Sequence, residues 1–213
     1  MIQHVLFDLD ETLYPSSNGL MPVIGSRMRD YIATHYGLPL DEAYALQKRY
    51  WVEYGTTLRG LYVERGLAPQ EYLRYVHDVP VSEYVAPDPR LRAMLETIPQ
   101  EKSIVTNADA VHARRILTAL GVSDLFPRIF DVVFFEYECK PSAIVYERVL
   151  AALGARGADC ALVEDMARNL PAARALGIHT ILVGAADATE ADARIATIYE
   201  VTDALARLDG HGA

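Results

Sequence analysis

The chain has 213 residues, 51% of them hydrophobic and 23% charged, a balance that excludes a disordered polymer and suits one domain with a modest insertion. Acids outnumber bases 29 to 20, and a formal charge of −9 repels phosphate backbones, which argues against a nucleic-acid polymer as partner. Cys139 and Cys160 make no CxxC pair, no apolar run approaches the ~20 residues of a membrane span, and no basic leader follows Met1, so the expectation is a cytoplasmic protein with no disulfide framework and no membrane partner.

Residues 2–9 (IQHVLFDL) concentrate β-branched and aromatic side chains in a short run ending in acids, the pattern of a buried strand. The next stretch differs in composition. Ten of the thirteen tyrosines, and Trp51, lie between Tyr14 and Tyr84, where residues 21–36, 40–54 and 70–77 carry helical periodicity and Gly37, Gly55, Gly60 and Gly66 mark breaks. This predicts a small all-helical insertion over 16–85, with the tyrosines and Trp51 as its packing and 55–60 as a loop. The Pro-rich residues 85–89 read as the return linker. Beyond them, strand-like runs at 102–106, 129–134, 160–163 and 179–183 alternate with helical stretches at 109–120, 142–153 and 166–176. Each of these helices ends in Ala-Leu-Gly, at Gly121, Gly154 and Gly177, where glycine can close the last turn in a left-handed conformation. A short final helix is expected after Thr202, fraying over 210–213.

Strands alternating with helices imply a parallel sheet covered on both faces. Ligands of such a sheet bind beyond the carboxyl ends of its strands. The first strand ends in Asp8-Leu9-Asp10-Glu11-Thr12, the second in Thr106-Asn107, Lys140-Pro141 follows the third, and the fourth ends in Glu164-Asp165. Two carboxylates from separate strands can hold a hard cation such as Mg²⁺. The cation and Lys140 would neutralise phosphate charge, and the Thr106 hydroxyl would hold phosphate oxygens. An aspartate could then attack phosphorus, and a second carboxylate two residues away could protonate the leaving oxygen and later deprotonate water.

These four motifs, in this order and each at a strand end, resemble the haloacid dehalogenase superfamily of aspartate-nucleophile phosphatases. The resemblance spans the chain, because that family also inserts a helical cap after its first motif. Residues 10–14, the segment Tyr54-Gly-Thr-Thr-Leu-Arg-Gly60 and residues 105–108 look like its pyrimidine 5′-nucleotidase branch. The resemblance implies a Rossmann-like three-layer α/β core with a parallel sheet, formed by 1–15 and 86–213, and a cap formed by 16–85. It implies that Asp8 is the nucleophile and a metal ligand, and that Asp10 is the acid–base, with its backbone carbonyl on the metal. Thr106, Asn107 and Lys140 bind the phosphoryl group. Asp165 completes the Mg²⁺ site, with Glu164 reaching the metal through water. Dehalogenases lack the second aspartate of the first motif and P-type ATPases carry threonine there, so Asp10 points to phosphate-ester chemistry. The expected partner is a small phosphorylated metabolite, a nucleoside 5′-monophosphate by resemblance. Sugar phosphates, pyridoxal phosphate, a phosphomutase reaction and a non-catalytic phosphometabolite-binding regulator are the alternatives. Arg59 is the cap residue expected to reach the substrate. The six histidines show no paired ligand spacing, and none is assigned to metal.

Overall fold

The computed structural model describes residues 1–184 and 191–210. Its sheet has six parallel strands: β1 (His4–Phe7), β2 (Glu101–Val105), β3 (Arg128–Phe130), β4 (Cys160–Glu164), β5 (His179–Val183) and β6 (Ala193–Ile195), in the spatial order β3-β2-β1-β4-β5-β6. Alternation along the strands divides their side chains between two cores. Val5, Phe7, Ile104, Val163 and Ile181 face one side, where α5 (Pro89–Glu96), α6 (Ala110–Leu120) and α9 (Val201–Gly210) cover them. Leu6, Val105, Phe130, Leu162 and Leu182 face the other, under α7 (Ala143–Leu153) and α8 (Leu170–Ala175). This is the three-layer α/β architecture expected from the sequence.

Between β1 and β2 the chain forms α1 (Leu20–Tyr36), α2 (Leu40–Tyr54), α3 (Thr57–Arg65) and α4 (Pro69–Val76). Tyr31, Ile32, Tyr50, Leu61, Tyr72 and Leu73 bury a core of their own there. Part of the expected cap segment packs elsewhere. Leu20 and Ile24, and Val79, Val81 and Val85 on the return, belong to the sheet's core.

Several boundaries differ from the sequence expectation, each for a local reason. The strand expected over 129–134 stops at Phe130, because the Asp131 carboxylate accepts from the backbone N–H groups of Ala110 and Phe134, both at 2.8 Å, and turns the chain. The helix expected over 166–176 begins as a 3₁₀ turn and becomes α-helical only at Leu170, since Pro171 has no N–H and is accommodated in a first turn. The 55–60 loop is largely helix. Gly60 lies inside α3, where a Cβ would fall 2.2 Å from the Tyr50 ring, so this glycine serves close helix packing rather than a break. Asp88 accepts from the N–H groups of Arg90 and Leu91, each at 2.9 Å, and opens α5, a helix the Pro-rich linker concealed. Gly121, Gly154 and Gly177 all take positive φ, as the repeated Ala-Leu-Gly endings predicted. Of the residues expected to fray, 210–213, Gly210 is still helical as the last residue of α9, and 211–213 lie outside the described residues. Among the described residues, no helix is long and apolar enough to cross a membrane.

Candidate active site

The strand order reverses around β1, and the polar residues collect at that point. β1 ends at Phe7 and delivers Asp8 and Asp10, β2 delivers Thr106 and Asn107, and β4 ends on Glu164, followed by Asp165. Lys140 comes from the connection between β3 and α7. Its Nζ donates to Asp8 Oδ1 at 2.5 Å and to Glu164 Oε2 at 2.8 Å, and all three side chains are buried. Burial opposes the ammonium charge, but Asp8 and Glu164 outweigh it and hold Lys140 above the ordinary lysine range. Pro141 lies just before Ser142, the cap of α7.

Negative charge is in excess here. Burial pushes the Asp8 carboxyl well up, against the pull of Lys140, and Glu164 and Asp165 push it further. Asp165 is raised to about 6 by burial and by Glu164. The Thr12 hydroxyl lies 3.0 Å from Asp8 Oδ2 and 2.9 Å from Asp165 Oδ1, and its single proton can serve one carboxylate at a time. Carboxylate oxygens of Asp8, Glu164 and Asp165 lie within 4.8 Å of one another. Three clustered carboxylates, two of them buried against one ammonium, make a donor set that a hard cation fits. Glu164 is the most committed of the three, since Oε2 faces Lys140 and Oε1 accepts from the N–H of Met166 at 3.1 Å.

The two residues expected to hold phosphate from β2 diverge. Thr106 is buried, and its hydroxyl accepts from the N–H of Ala108 at 3.0 Å, which leaves its own proton to donate. Asn107 is occupied otherwise. Its Oδ1 accepts from the N–H of Lys140 at 2.8 Å and its Nδ2 donates to the carbonyl of Lys140 at 3.2 Å, so the amide ties the β2 end to the lysine loop.

Asp10 brings in two histidines, His112 and His77, that spacing alone did not single out. Its Oδ1 accepts from Tyr14 OH at 2.6 Å and from His112 Nε2 at 2.9 Å. Burial works against the charge on Asp10, but His112 and then the hydroxyl of Tyr14 outweigh it and hold the carboxyl below its usual range. His112 is fully buried in the first turn of α6, and its ring stacks on His77 at 4.3 Å between centroids. A signal was present in Asp109-x-x-His112. An N-cap aspartate directly after a strand end fixes the first turn of the helix, and with it the side chain three residues on.

A cavity of about 280 Å³ opens from these carboxylates under the helical insertion. Met21, Ile24, Met28, Leu58, Leu73 and Val76 form its apolar wall, and Gln47, Lys48, Trp51, Thr57 and Tyr72 join them. Trp51 is not packing alone. It is 42% exposed, and the Arg168 guanidinium lies 3.9 Å over its ring while donating to the carbonyls of Trp51 and Gly55 at 2.9 and 2.8 Å. Arg59 does not line this cavity. Because α3 is a helix, the side chain is carried to the seam between insertion and core, where it pairs with Glu138 and the carbonyl of Tyr137.

Residues 2–177 match the family described as haloacid dehalogenase-like hydrolases. A curated relative, phosphate metabolism protein 8 of Saccharomyces cerevisiae, is 27% identical over an alignment of 191 residues that covers 83% of this chain and 60% of that protein; the chain thus spans less than two thirds of its relative's length. Among solved structures, an HAD phosphatase from Thermococcus onnurineus superposes with a TM-score of 0.66 at 20% identity, over 96% of this chain and 98% of its own. A β-phosphoglucomutase from Clostridium difficile also gives 0.66, at 15% identity and 99% of both chains. These last two likenesses establish the fold alone.

Proposed function

The chain belongs to the haloacid dehalogenase-like hydrolases, and from that premise we propose a Mg²⁺-dependent phosphatase that hydrolyses small phosphomonoesters, nucleoside 5′-monophosphates and pyrimidine ones first, through an aspartyl-phosphate. One observation carries this reading: the buried Asp8–Lys140–Glu164 cluster, with the half-buried Asp165 against it, stands beside Asp10 at the mouth of a cavity. Asp8, Asp165 and the Asp10 carbonyl would hold Mg²⁺, whose charge offsets that of the phosphoryl group.

An Asp8 oxygen attacks phosphorus, the bond from phosphorus to the ester oxygen breaks, and the electron pair leaves with that oxygen, which takes a proton from Asp10. Water then attacks the aspartyl-phosphate and gives a proton to Asp10, and the bond from phosphorus to Asp8 breaks. Both aspartates are restored. The Asp10 carboxyl is held low in the free site, and the negative charge of an arriving phosphoryl group pushes it back up. Thr106 donates to a phosphoryl oxygen, and Lys140 keeps the Asp8 carboxylate aimed. The apolar wall and the flanking Trp51 and Tyr72 suit a flat ring with few polar groups, which favours a nucleoside over a bare sugar. The name of the yeast relative places that protein in phosphate metabolism and agrees with the reading.

Phosphate release across a panel of nucleotides, sugar phosphates and pyridoxal phosphate, with Mg²⁺ and then with chelator, tests the proposal. Metal-dependent release from a pyrimidine nucleotide supports it. A higher kcat/KM on sugar or pyridoxal phosphates replaces the substrate class, and an isomerised sugar phosphate makes the protein a mutase. No turnover on any ester leaves a phosphometabolite-binding module.

A further inference from the structure

Hydrolysis by this reading needs the Asp10 carboxyl turned toward the departing oxygen, yet Asp10 sits on a loop beyond β1 and is itself followed by Glu11 in a left-handed conformation, φ 66°. Within the loop one side chain, Tyr14, bonds the Asp10 carboxyl, and the second donor comes from α6. We propose that His112 is the positioning residue of Asp10: its Nε2–H, together with the Tyr14 hydroxyl, holds Oδ1 and leaves Oδ2 to face the reacting group. The inference rests on the phosphatase reading above.

Both donors converge on one oxygen, Tyr14 OH at 2.6 Å and His112 Nε2 at 2.9 Å, whereas the second oxygen has no partner among the described residues and Asp10 lines the cavity. Two charge-assisted bonds on a single carboxylate oxygen define the plane of the group as well as its place. The imidazole is in turn denied other positions. It is fully buried, it stacks on the His77 ring at 4.3 Å and 21°, and its backbone N–H donates to Asp109 Oδ1 at 2.7 Å. Asp109 Oδ2 lies 3.3 Å from His77 Nδ1, so one carboxylate places both rings. The carbonyl of His77 accepts from Arg115 Nη1 at 2.5 Å, which anchors that ring's backbone to α6. His112 Nδ1 has no hydrogen-bond partner among the described residues. The one hydrogen bond the ring makes is to the carboxylate that handles the proton.

Leaving-group dependence separates positioning from plain support. A simple alkyl phosphate needs a proton on its departing alkoxide, whereas 4-nitrophenyl phosphate expels a stable phenolate without one, and kcat/KM reports this first transfer to Asp8. His112→Phe, which keeps a ring for the stack, should lose about 100-fold on the alkyl ester and less than about 3-fold on the nitrophenyl ester. His112→Gln, whose amide can reach toward Asp10, should recover about 10-fold of the alkyl loss. Should His112→Phe fail to fold, His112→Asn, whose amide stops short of Asp10, replaces it. Equal losses on both esters, or none on either, would overturn the positioning role. Asp10→Asn is the control: if its own loss is the same on both esters, Asp10 is not the proton donor, and the phosphatase mechanism fails before the role of His112 is reached. Selective loss in Asp10→Asn with none in His112→Phe overturns the inference alone.

Discussion

At the strand edge, Lys140 joins Asp8 to Glu164 across three separate segments, every participating atom is buried, and Thr12 bridges to Asp165. In the helical insertion the buried side chains are Tyr31, Tyr50, Tyr72 and their aliphatic neighbours, and the ion pairs lie at the surface, as where Arg49 and the Tyr50 and Tyr54 hydroxyls surround Glu64. Both regions face one cavity, but they respond to damage differently. Removing a charge from the first strands another charge out of water, whereas changing the second disturbs packing and leaves no ion exposed to a low dielectric. Variants at the strand edge should therefore alter chemistry most, and variants in the insertion should alter stability with the chemistry intact.

The largest expected effect is at the nucleophile. Asp8→Asn keeps the size of the side chain and removes the attacking anion, so turnover should fall at least ~10³-fold while the protein stays folded. A folded Asp8→Asn protein with near-native activity would remove the aspartyl-phosphate from the mechanism. Lys140→Met follows. It leaves Asp8 and Glu164 as buried like charges, and breaking such a cluster costs about 3–5 kcal/mol, readable by urea denaturation. Adding Glu164→Gln should return part of that stability. If it returns none, the two carboxylates are not coupled through the lysine.

The strand edge was also the part most legible from the sequence. Each polar residue there follows an apolar strand in chain order, so position along the chain reports position in space. That logic brought Asp8, Asp10, Thr106, Lys140, Glu164 and Asp165 together, and the structure does so. It brought Asn107 to the same cavity but did not show its bonds to the Lys140 backbone, because whether an amide meets a neighbouring backbone depends on the loop that approaches it. In the insertion, the same glycine code carried two meanings. Gly37 and Gly66 end helices with positive φ, but Gly60 is a contact point within one, and only the partner helix shows which. His112 escaped notice because it lies inside the first turn of α6 rather than at a strand end, where chain order reports position.

Gly60→Ala tests the insertion as a packing unit. Its new Cβ would sit 2.2 Å from the Tyr50 ring, and forcing such a contact costs about 1–3 kcal/mol. Denaturation should show the loss, while kcat/KM on a small aryl phosphate stays near wild type. A collapse of activity on that substrate would mean that the insertion holds the strand edge in place. A further test returns to the carboxylates. Asp165 keeps its proton up to about pH 6 in the folded protein, whereas an unfolded aspartate releases it near 3.9. Between those values the folded state binds more protons, so without a cation stability falls as pH rises through that window. A cation on Asp8 and Asp165 offsets the loss and competes with the proton. Mg²⁺ should raise Tm by several degrees at pH 8 and by little at pH 5; the same shift at both would place its binding elsewhere.

The smallest effect is expected where the two regions meet. Sequence alone put Arg59 in a loop over the substrate, but as part of α3 it spans the seam to Glu138 and the carbonyl of Tyr137. The two side chains are 23% and 25% exposed, and an ion pair with that access to water contributes about 0–1 kcal/mol. Arg59→Ala should therefore lower Tm slightly and change kcat/KM by less than about 3-fold, by the same factor for a nucleotide and for a small aryl phosphate. The comparison of substrates is what gives the variant its value. A loss of 10- to 100-fold confined to the nucleotide, on the scale of a charged hydrogen bond, would mean that Arg59 leaves Glu138 to meet the substrate. The seam would then be part of the binding site, and the division between a chemical edge and a packing cap would no longer hold at that residue.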